Sequence, residues 1–433
     1  MKTIVQIAFR NLLQHRRRSL LLGGAVAMVT LLLVMLSALL NGMQATMLRN
    51  GTTLSTGHVN VAGFYKITAG TAAPLVTKYQ TLLETVRKQT PGMDYVVTRG
   101  RGFGKIVSEE SSLNSVLTGL DIVNEAGFKE VVQLAHGNLD DLAKPRTALI
   151  FEKQAERLKV KVGDNLTVSS QTFRGVNNTV DVRIVAIGRD LGMLSSFNCF
   201  VHHDAIRDLY ELDASTTGAI QVYLKDAEQA AEVAAKLRTD IEAAGLRVME
   251  PQPQPFWRKF DTVKREDWTG QKIDVTTWID EMAFMRYTLT TLSALIFVLV
   301  TVLLVIIVIG VMNTLWMAIR ERTREIGALR AIGMQRDRVL WMFVTEVALL
   351  ALGATAAGSV AATLLCLALN AAKIVVPKAF QMFLMSETLW LVADVPTVAR
   401  SLAVIAVVTT LGSLLPAWRA SRLQPVKAMQ TAS

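Results

Sequence analysis

Few side chains in this sequence combine the types and spacing that catalysis demands. Cys199, His202 and His203 come nearest to a metal-ligand set. Donors on adjacent residues rarely converge on one ion, and no second ligand cluster occurs, so they read as ordinary strand-end residues and no metal is expected. Gly100-Arg101-Gly102-Phe103-Gly104-Lys105 has the glycines and lysine of a phosphate loop. It lacks the G-x-x-x-x-G-K-[ST] spacing, because position 99 is Arg and position 106 is Ile, and it reads as a turn between strands. No G-x-S-x-G occurs, and the 5 histidines are scattered, so no catalytic triad is assigned. Without a Walker motif the chain is expected to hold no cofactor and to hydrolyse no ATP by itself. Glu346 is the one acid in a long apolar stretch. It lies about two helical turns from an arginine-rich link, so it can reach the interface, pair with a basic neighbour or relay protons.

Composition says what must position these residues. The chain has 433 residues, 51% of them hydrophobic, and a mean hydropathy of +0.35. That is high for a soluble protein and low for one wholly in the membrane, and a few spans plus a water-soluble domain fit best. The net charge of +10 sits beside apolar segments, which points to membrane orientation and away from nucleic acid. Of the 2 cysteines only Cys366 lies in an apolar stretch, so no disulfide between them is expected.

Leu20 to Leu40 carries no charge and as a helix would be roughly 31 Å long, about one hydrocarbon core. A cleaved signal peptide is the alternative, but the run is too long for one and no clear A-x-A site follows. Tyr287 to Ile319 would make a helix of about 50 Å, longer than a bilayer is thick. Its approach, Trp268–Arg286, has Trp278, Ile279, Met282 and Met285 at helical spacing and could extend it as a stalk. A third run goes from Val339 to about Ala372, where Ala351, Gly353, Ala354, Ala356, Ala357, Gly358 and Ser359 permit close helix approach. A fourth goes from Leu402 to Trp418.

Positive charges orient these spans. Lys2, Arg10, Arg16, Arg17 and Arg18 precede the first without an acid, and Arg320–Arg338 holds six arginines. The opposite link has only Lys373 and Lys378. Both termini and the arginine link are therefore expected in the cytoplasm. The expected layout begins with a cytoplasmic amphipathic interfacial helix at 1–18, in which Ile4, Val5, Ala8, Phe9, Leu12 and Leu13 follow helical spacing. A first transmembrane helix at 19–41 and an extracytoplasmic domain at 42–285 follow. The second helix at 286–319, a cytoplasmic coupling segment at 320–338 and the third helix at 339–372 come next. A short outer loop at 373–400, the fourth helix at 401–418 and a cytoplasmic tail at 419–433 complete it.

Within the outer segment, Gly57–Val61, Tyr95–Thr98, Ser115–Leu120, Leu166–Ser169, Val180–Ile187 and Ala219–Leu224 read as strands. Phe151–Leu158, His203–Tyr210 and Ala227–Ala244 read as helices. The fold class is thus a polytopic α-helical membrane protein with four transmembrane helices and an α/β (α+β) domain between helices 1 and 2. Pro251, Pro253 and Pro255 read as a stiff linker back to the membrane.

The link after the second span contains Arg322, Glu325, Ile326, Gly327, Leu329, Arg330, Ala331 and Gly333. This resembles the pattern "R-x-x-E-I-G-x-L-R-A-x-G" of FtsX-like permeases. The ending Leu415-Pro416-Ala417-Trp418-Arg419-Ala420-Ser421-Arg422, then Pro425-Val426, resembles that family's tail. Thr147–Val168, with Glu152, Ala155 and Val162-Gly163-Asp164, is similar to the periplasmic core domain of MacB-like permeases. Asn41-Gly42-Met43 and Thr56-Gly57-His58-Val59 lean toward the lipoprotein-releasing, LolC/LolE-type branch. The resemblance implies the permease subunit of a mechanotransmission ABC transporter in a bacterial inner membrane. Its partners would be two copies of an ATPase subunit that binds ATP and Mg, a second permease (identical or homologous), and a periplasmic carrier or membrane-fusion protein. The cargo would be a lipoprotein, lipid or peptide. Signalling to cell-wall hydrolases, and macrolide or antimicrobial-peptide efflux, are the alternatives. Arg322, Glu325, Ile326, Gly327, Leu329, Arg330 and Gly333 would couple to the ATPase. Ile326, Leu329 and Ile332 recur at helical spacing and would dock as one stripe, with Gly333 ending the helix.

Overall fold

The chain opens with two helices, α1 (Lys2–Gln14) and α2 (Arg16–Gly51), the second ending in a π-helical turn at Thr52–Thr56. The computed structural model describes residues 2–14, 16–68, 71–377, 381 and 386–422. Contacts divide them into two compact units, one of Ala45–Thr288 with Val375–Thr388 and one of the remaining helical segments.

The first of these units is built on ten strands: β1 (Val59–Lys66), β2 (Met93–Val107), β3 (Ser112–Leu120), β4 (Leu134–Gly137), β5 (Thr147–Phe151), β6 (Asn165–Gln171), β7 (Asn177–Gly188), β8 (Asn198–His202), β9 (Ala219–Leu224) and β10 (Gly270–Thr277). Helices α3 (Tyr79–Gln89), α4 (Glu152–Leu158), α5 (His203–Tyr210), α6 (Ala230–Ala243) and α7 (Phe256–Arg265) pack among them. Strand β2 belongs to two sheets. Its first half extends the series β10-β1-β9-β2. Its second half pairs with both β3 and β6, and the pairings β6–β7, β7–β5, β5–β8 and β8–β3 close a six-stranded ring. The alternation of side chains then splits the interior. Ala148 and Ile150 of β5 join one core with Leu117, Leu166, Val182 and Val201, while Leu149 and Phe151 join another with Phe128 and Phe200.

Three expectations are corrected here. The glycine run at 100–104 is the middle of β2, not a turn. Its alternate glycines face one side, and a Cβ at Gly102 would lie 2.4 Å from the Tyr210 ring, while one at Gly100 would lie 3.0 Å from Ile206. The missing side chains make room for α5 on the strand. Second, Trp268–Arg286 is not one helical stalk. Its first part is β10, in which Ile273 and Val275 bury on one face and Asp274 and Thr276 on the other. A single turn, Trp278–Glu281, intervenes before the long helix α8 (Ala283–Glu321) begins. Third, Pro251, Pro253 and Pro255 precede α7 and β10, which return to the same sheet, so they lie inside the unit and do not link it to the membrane. Sequence reading also missed β4, β5, β8 and β10. Strand β5 is buried on both faces, so it shows no alternation to read.

After α8 come α9 (Thr323–Ala331), α10 (Arg336–Ala371) and α11 (Val395–Ser421). Helices α2, α8, α10 and α11 are each long and apolar enough to cross a membrane. Phe297, Val298, Val305, Ile306 and Ile309 of α8 stay exposed, as lipid-facing residues do. The buried seam joins Val26, Val311, Leu315, Phe343, Val347, Ile405 and Ala417. Helices α2 and α10 cross tightly at Gly358, where a Cβ would lie 2.4 Å from the Ala27 carbonyl oxygen. At one end of this unit the Asn370 amide makes paired hydrogen bonds with the Leu391 backbone at 2.8 and 2.9 Å, and Asn41 donates to Asp394 at 2.6 Å.

Candidate functional site

The arginine-rich link forms a short helix held at both ends. Arg322 leaves helical geometry (φ −101°, ψ 14°) between α8 and α9 and turns its side chain inward. There its Nη1 donates to Glu346 Oε2 at 3.3 Å, and Arg18 Nη2 donates to Glu346 Oε1 at 3.3 Å. Asn11 donates to Glu346 Oε2 at 3.5 Å, and Arg18 also reaches the exposed Glu321 at 3.6 Å. The side chains of Glu346 and Arg322 are each only 6% exposed. One acid on α10 thus ties together α1, α2 and the start of α9. The other end of α9 is held where Arg330 Nη1 donates to the Ser421 carbonyl of α11 at 3.0 Å.

The helix end follows from one residue. Gly333 takes φ +107°, a region that costs other residues. The Met334 N–H then reaches the Leu329 carbonyl at 3.0 Å and the Gly333 N–H reaches Arg330 at 3.1 Å. These paired bonds satisfy carbonyls that a helix end otherwise leaves open.

The stripe expected to face an ATPase is divided. Ile326 is 2% exposed and belongs to the helical core, and Gly327 and Arg322 are buried too. These three are enclosed by the apolar and ion-pairing interior of their own unit. Glu325, Leu329, Ile332 and Gly333 are exposed, Ile332 at 87%. Arg330 is half-buried. Sequence reading missed Arg18 and Asn11 as partners of Glu346. Arg18 was visible only as one charge of an orienting cluster.

In the ten-stranded unit Cys199 lies in the ring core, where burial pushes its thiol up to about 12 and leaves it inert at neutral pH. His202, His203 and Asp204 do converge, their ligand atoms all within 4.8 Å of one another. His203 Nε2 contacts Asp204 Oδ1 at 3.1 Å, but Arg207 reaches that same oxygen at 3.4 Å, a cation placed where a metal's charge would be opposed. A second group escaped sequence reading altogether. Arg99 meets Glu125 through two 2.7 Å hydrogen bonds, fully buried, and donates to the Thr53 carbonyl at 2.7 Å. Gln221 and Tyr223 donate to Ser55 and Thr52 at 2.7 and 3.1 Å. The free carbonyls of the π-turn are thus satisfied by side chains of β2 and β9.

Four apolar helices with a mixed α/β unit between the first two define a membrane protein with one large domain outside the bilayer. Residues 19–240 match the MacB-like periplasmic core domain, and residues 297–425 match the FtsX-like permease C-terminal family. The chain belongs to the family of FtsX-like permeases that carry a MacB-like periplasmic core domain. It is similar to the pyoverdine export ATP-binding/permease protein PvdT of Pseudomonas savastanoi pv. phaseolicola, with 33% identity over 33% of this chain and 19% of that one. The macrolide export ATP-binding/permease protein MacB of Chromobacterium violaceum is 30% identical over 42% of this chain and 27% of its own. The uncharacterized ABC transporter permease YvrN of Bacillus subtilis is 32% identical over 28% of this chain and 26% of its own. The match thus spans about a fifth to a quarter of each relative's length. Among solved structures, the extracellular domain of the noncanonic ABC-type transporter YknZ from Gram-positive bacteria aligns over 43% of this chain and 95% of its own. Its identity is 14% and its TM-score 0.29. The leaning toward lipoprotein-releasing permeases finds no counterpart among these curated relatives, which, where a cargo is named, are pyoverdine and macrolide exporters.

Proposed function

We propose that this chain is the permease subunit of an ABC transporter of the mechanotransmission type. A separate ATPase subunit, present in two copies, binds ATP and Mg and drives it, with a second permease copy or homologue alongside. It would sit in a bacterial inner membrane with both termini and α9 in the cytoplasm, an orientation supported by the arginines of the link. The observation that carries the reading is α9 itself. Its exposed side, with Leu329 and Ile332, offers an apolar strip to an ATPase cleft, while its inner side is fastened to α2, α10 and α11. A push on that strip reaches three spans through short contacts and not through a flexible loop.

The cargo is proposed to be an amphipathic or hydrophobic molecule handled at the outer face and passed to a periplasmic carrier or membrane-fusion protein. The export activities named for the relatives favour extrusion of a small molecule or peptide over lipoprotein release or signalling to cell-wall hydrolases. Leu329→Asp tests the coupling. Losing one Leu from an interface removes about 1.5–3 kcal/mol, or roughly 10- to 100-fold in ATPase affinity. The folded state should tolerate the change, because Leu329 is solvent-exposed. Co-purification of the ATPase and cargo transport should both fall while membrane insertion is unchanged. A variant that binds its ATPase and transports normally would show that the link only sets topology.

A further inference from the structure

The ten-stranded unit contains a cleft of about 680 Å³, within the roughly 300–1,000 Å³ typical of small-molecule sites. It lies between the end of β1 with the segment that follows, the β6–β7 turn and α7. Phe103, Phe173, Tyr210 and Phe260 supply aromatic surface. Phe173 stacks on Tyr210 with ring centroids 4.9 Å apart, which fixes one wall. Among the described residues, the charged ones lining the cleft are Arg101, Arg174 and Lys264, with no acid.

These three cations differ in what compensates them. Arg101 is buried, stacks over Phe256 at 4.5 Å and donates to Asn60 at 2.7 Å, with Glu281 and Asp274 acting on it electrostatically. Its other terminal nitrogen has no hydrogen-bond partner among the described residues. Arg174 and Lys264 are exposed, and neither forms an ion pair among the described residues. Lys264 instead lies 4.5 Å from the centre of the Phe260 ring, so its charge sits directly beside the apolar surface. No acid among the described residues neutralises these two cations at the rim of the aromatic cleft. A ligand would: rings stack on the aromatic walls while an anionic group neutralises the cations at the rim.

We infer that this cleft binds a small anionic aromatic molecule, its ring system against Phe173, Tyr210 and Phe260 and its carboxylate or comparable anion at Arg174 and Lys264. This deepens the transport reading by naming a class of cargo. The binding step itself needs neither ATP nor an ATPase, so it stands or falls apart from the coupling at α9.

The test uses the full-length chain in lipid nanodiscs and 4-benzoylbenzoate, an anionic aromatic photolabel, with labelled peptides mapped by mass spectrometry. Neutral benzophenone serves as the uncharged control. The carboxylate should label the cleft walls, and neutral benzophenone should label them at least about tenfold less. The double variant Arg174→Glu/Lys264→Glu should cut cleft labelling by about tenfold, since two surface charges are reversed. Lys88→Glu, an exposed charge on α3 away from the cleft, should leave labelling unchanged. Both altered cations are solvent-exposed, so the double variant should fold, and an unchanged melting curve would confirm it. Equal labelling by neutral benzophenone, labelling confined to other peptides, or full labelling of a folded double variant would each overturn the assignment.

Discussion

Removing the charge of Glu346 is the sharpest probe of how α9 is held. Glu346→Gln keeps the side chain's size but leaves Arg322, only 6% exposed, with no acid among the described residues to pair with. Arg18 retains the exposed Glu321 at 3.6 Å, a weak substitute. Breaking one side of a buried pair costs about 3–5 kcal/mol, because the remaining cation is still out of water. At about 2–4 °C per kcal/mol, the loss is on the order of 10 °C in the melting of the chain in nanodiscs. The source of the loss is checked by a cycle. Arg322→Met alone leaves Glu346 its Arg18 partner and should cost less. Glu346→Leu alone should cost about as much as Glu346→Gln, whereas Glu346→Leu with Arg322→Met replaces the pair by apolar groups and should recover most of the stability. ATPase co-purification should survive Glu346→Gln, since Leu329 and Ile332 stay exposed, while transport falls because α9 is no longer tied to α2 and α10. A melting point within about 2 °C of the parent, or single changes that add to within about 0.5 kcal/mol, would refute the triad as a fastening.

Gly42→Ala should destabilise the helical unit by about 1–3 kcal/mol, because the new Cβ would sit 1.9 Å from the Trp390 carbonyl oxygen; an unchanged melting point would show that the loop yields freely. Acidification should act on the ten-stranded unit through His58, whose pKa burial holds below its usual 6.5 despite the nearby Asp226 and Asp94. Its Nδ1 accepts the Leu224 N–H at 2.9 Å, so the neutral ring is the one that fits. The unfolded chain then takes up the proton first as pH falls, so stability is full above about pH 6.5 and declines below it. Melting between pH 7.5 and 5.5 should show this decline, and His58→Gln should reduce it, the remainder belonging to His203, which burial also holds below its usual value.

The membrane part of the fold was legible because its signal is long. A span repeats one property over many residues, so the runs beginning at Leu20, Tyr287, Val339 and Leu402 each fall within an observed helix. In the outer domain β7 was legible through its alternation, and β9, though buried on both faces, was read from its β-formers and flanks, whereas β5, also buried on both faces, was not. The glycine run in β2 misled because glycine ordinarily marks turns. Its spacing of two was the available clue, since alternate glycines clear one face of a strand for a packed helix. β10 was hidden differently: Trp278, Ile279 and Met282 lend a helical period to a segment whose first half is extended.

The link after the second span shows why a charge pattern alone does not separate topology from mechanism. Counting arginines assigns all six of that link one role, which is to face the cytoplasm. In the fold their roles diverge. Arg322 is spent on Glu346, and Arg330 on the end of α11, while Arg324 and Arg336 stay in the open. A buried arginine is kept in place by its acid and has no freedom to meet a partner. On the proposed coupling, the exposed apolar residues left to meet an ATPase are Leu329 and Ile332, flanked by Glu325 and the turn at Gly333. On that reading these apolar residues would supply the affinity, and the inward arginines would supply the stiffness without which a push on α9 would dissipate in the link.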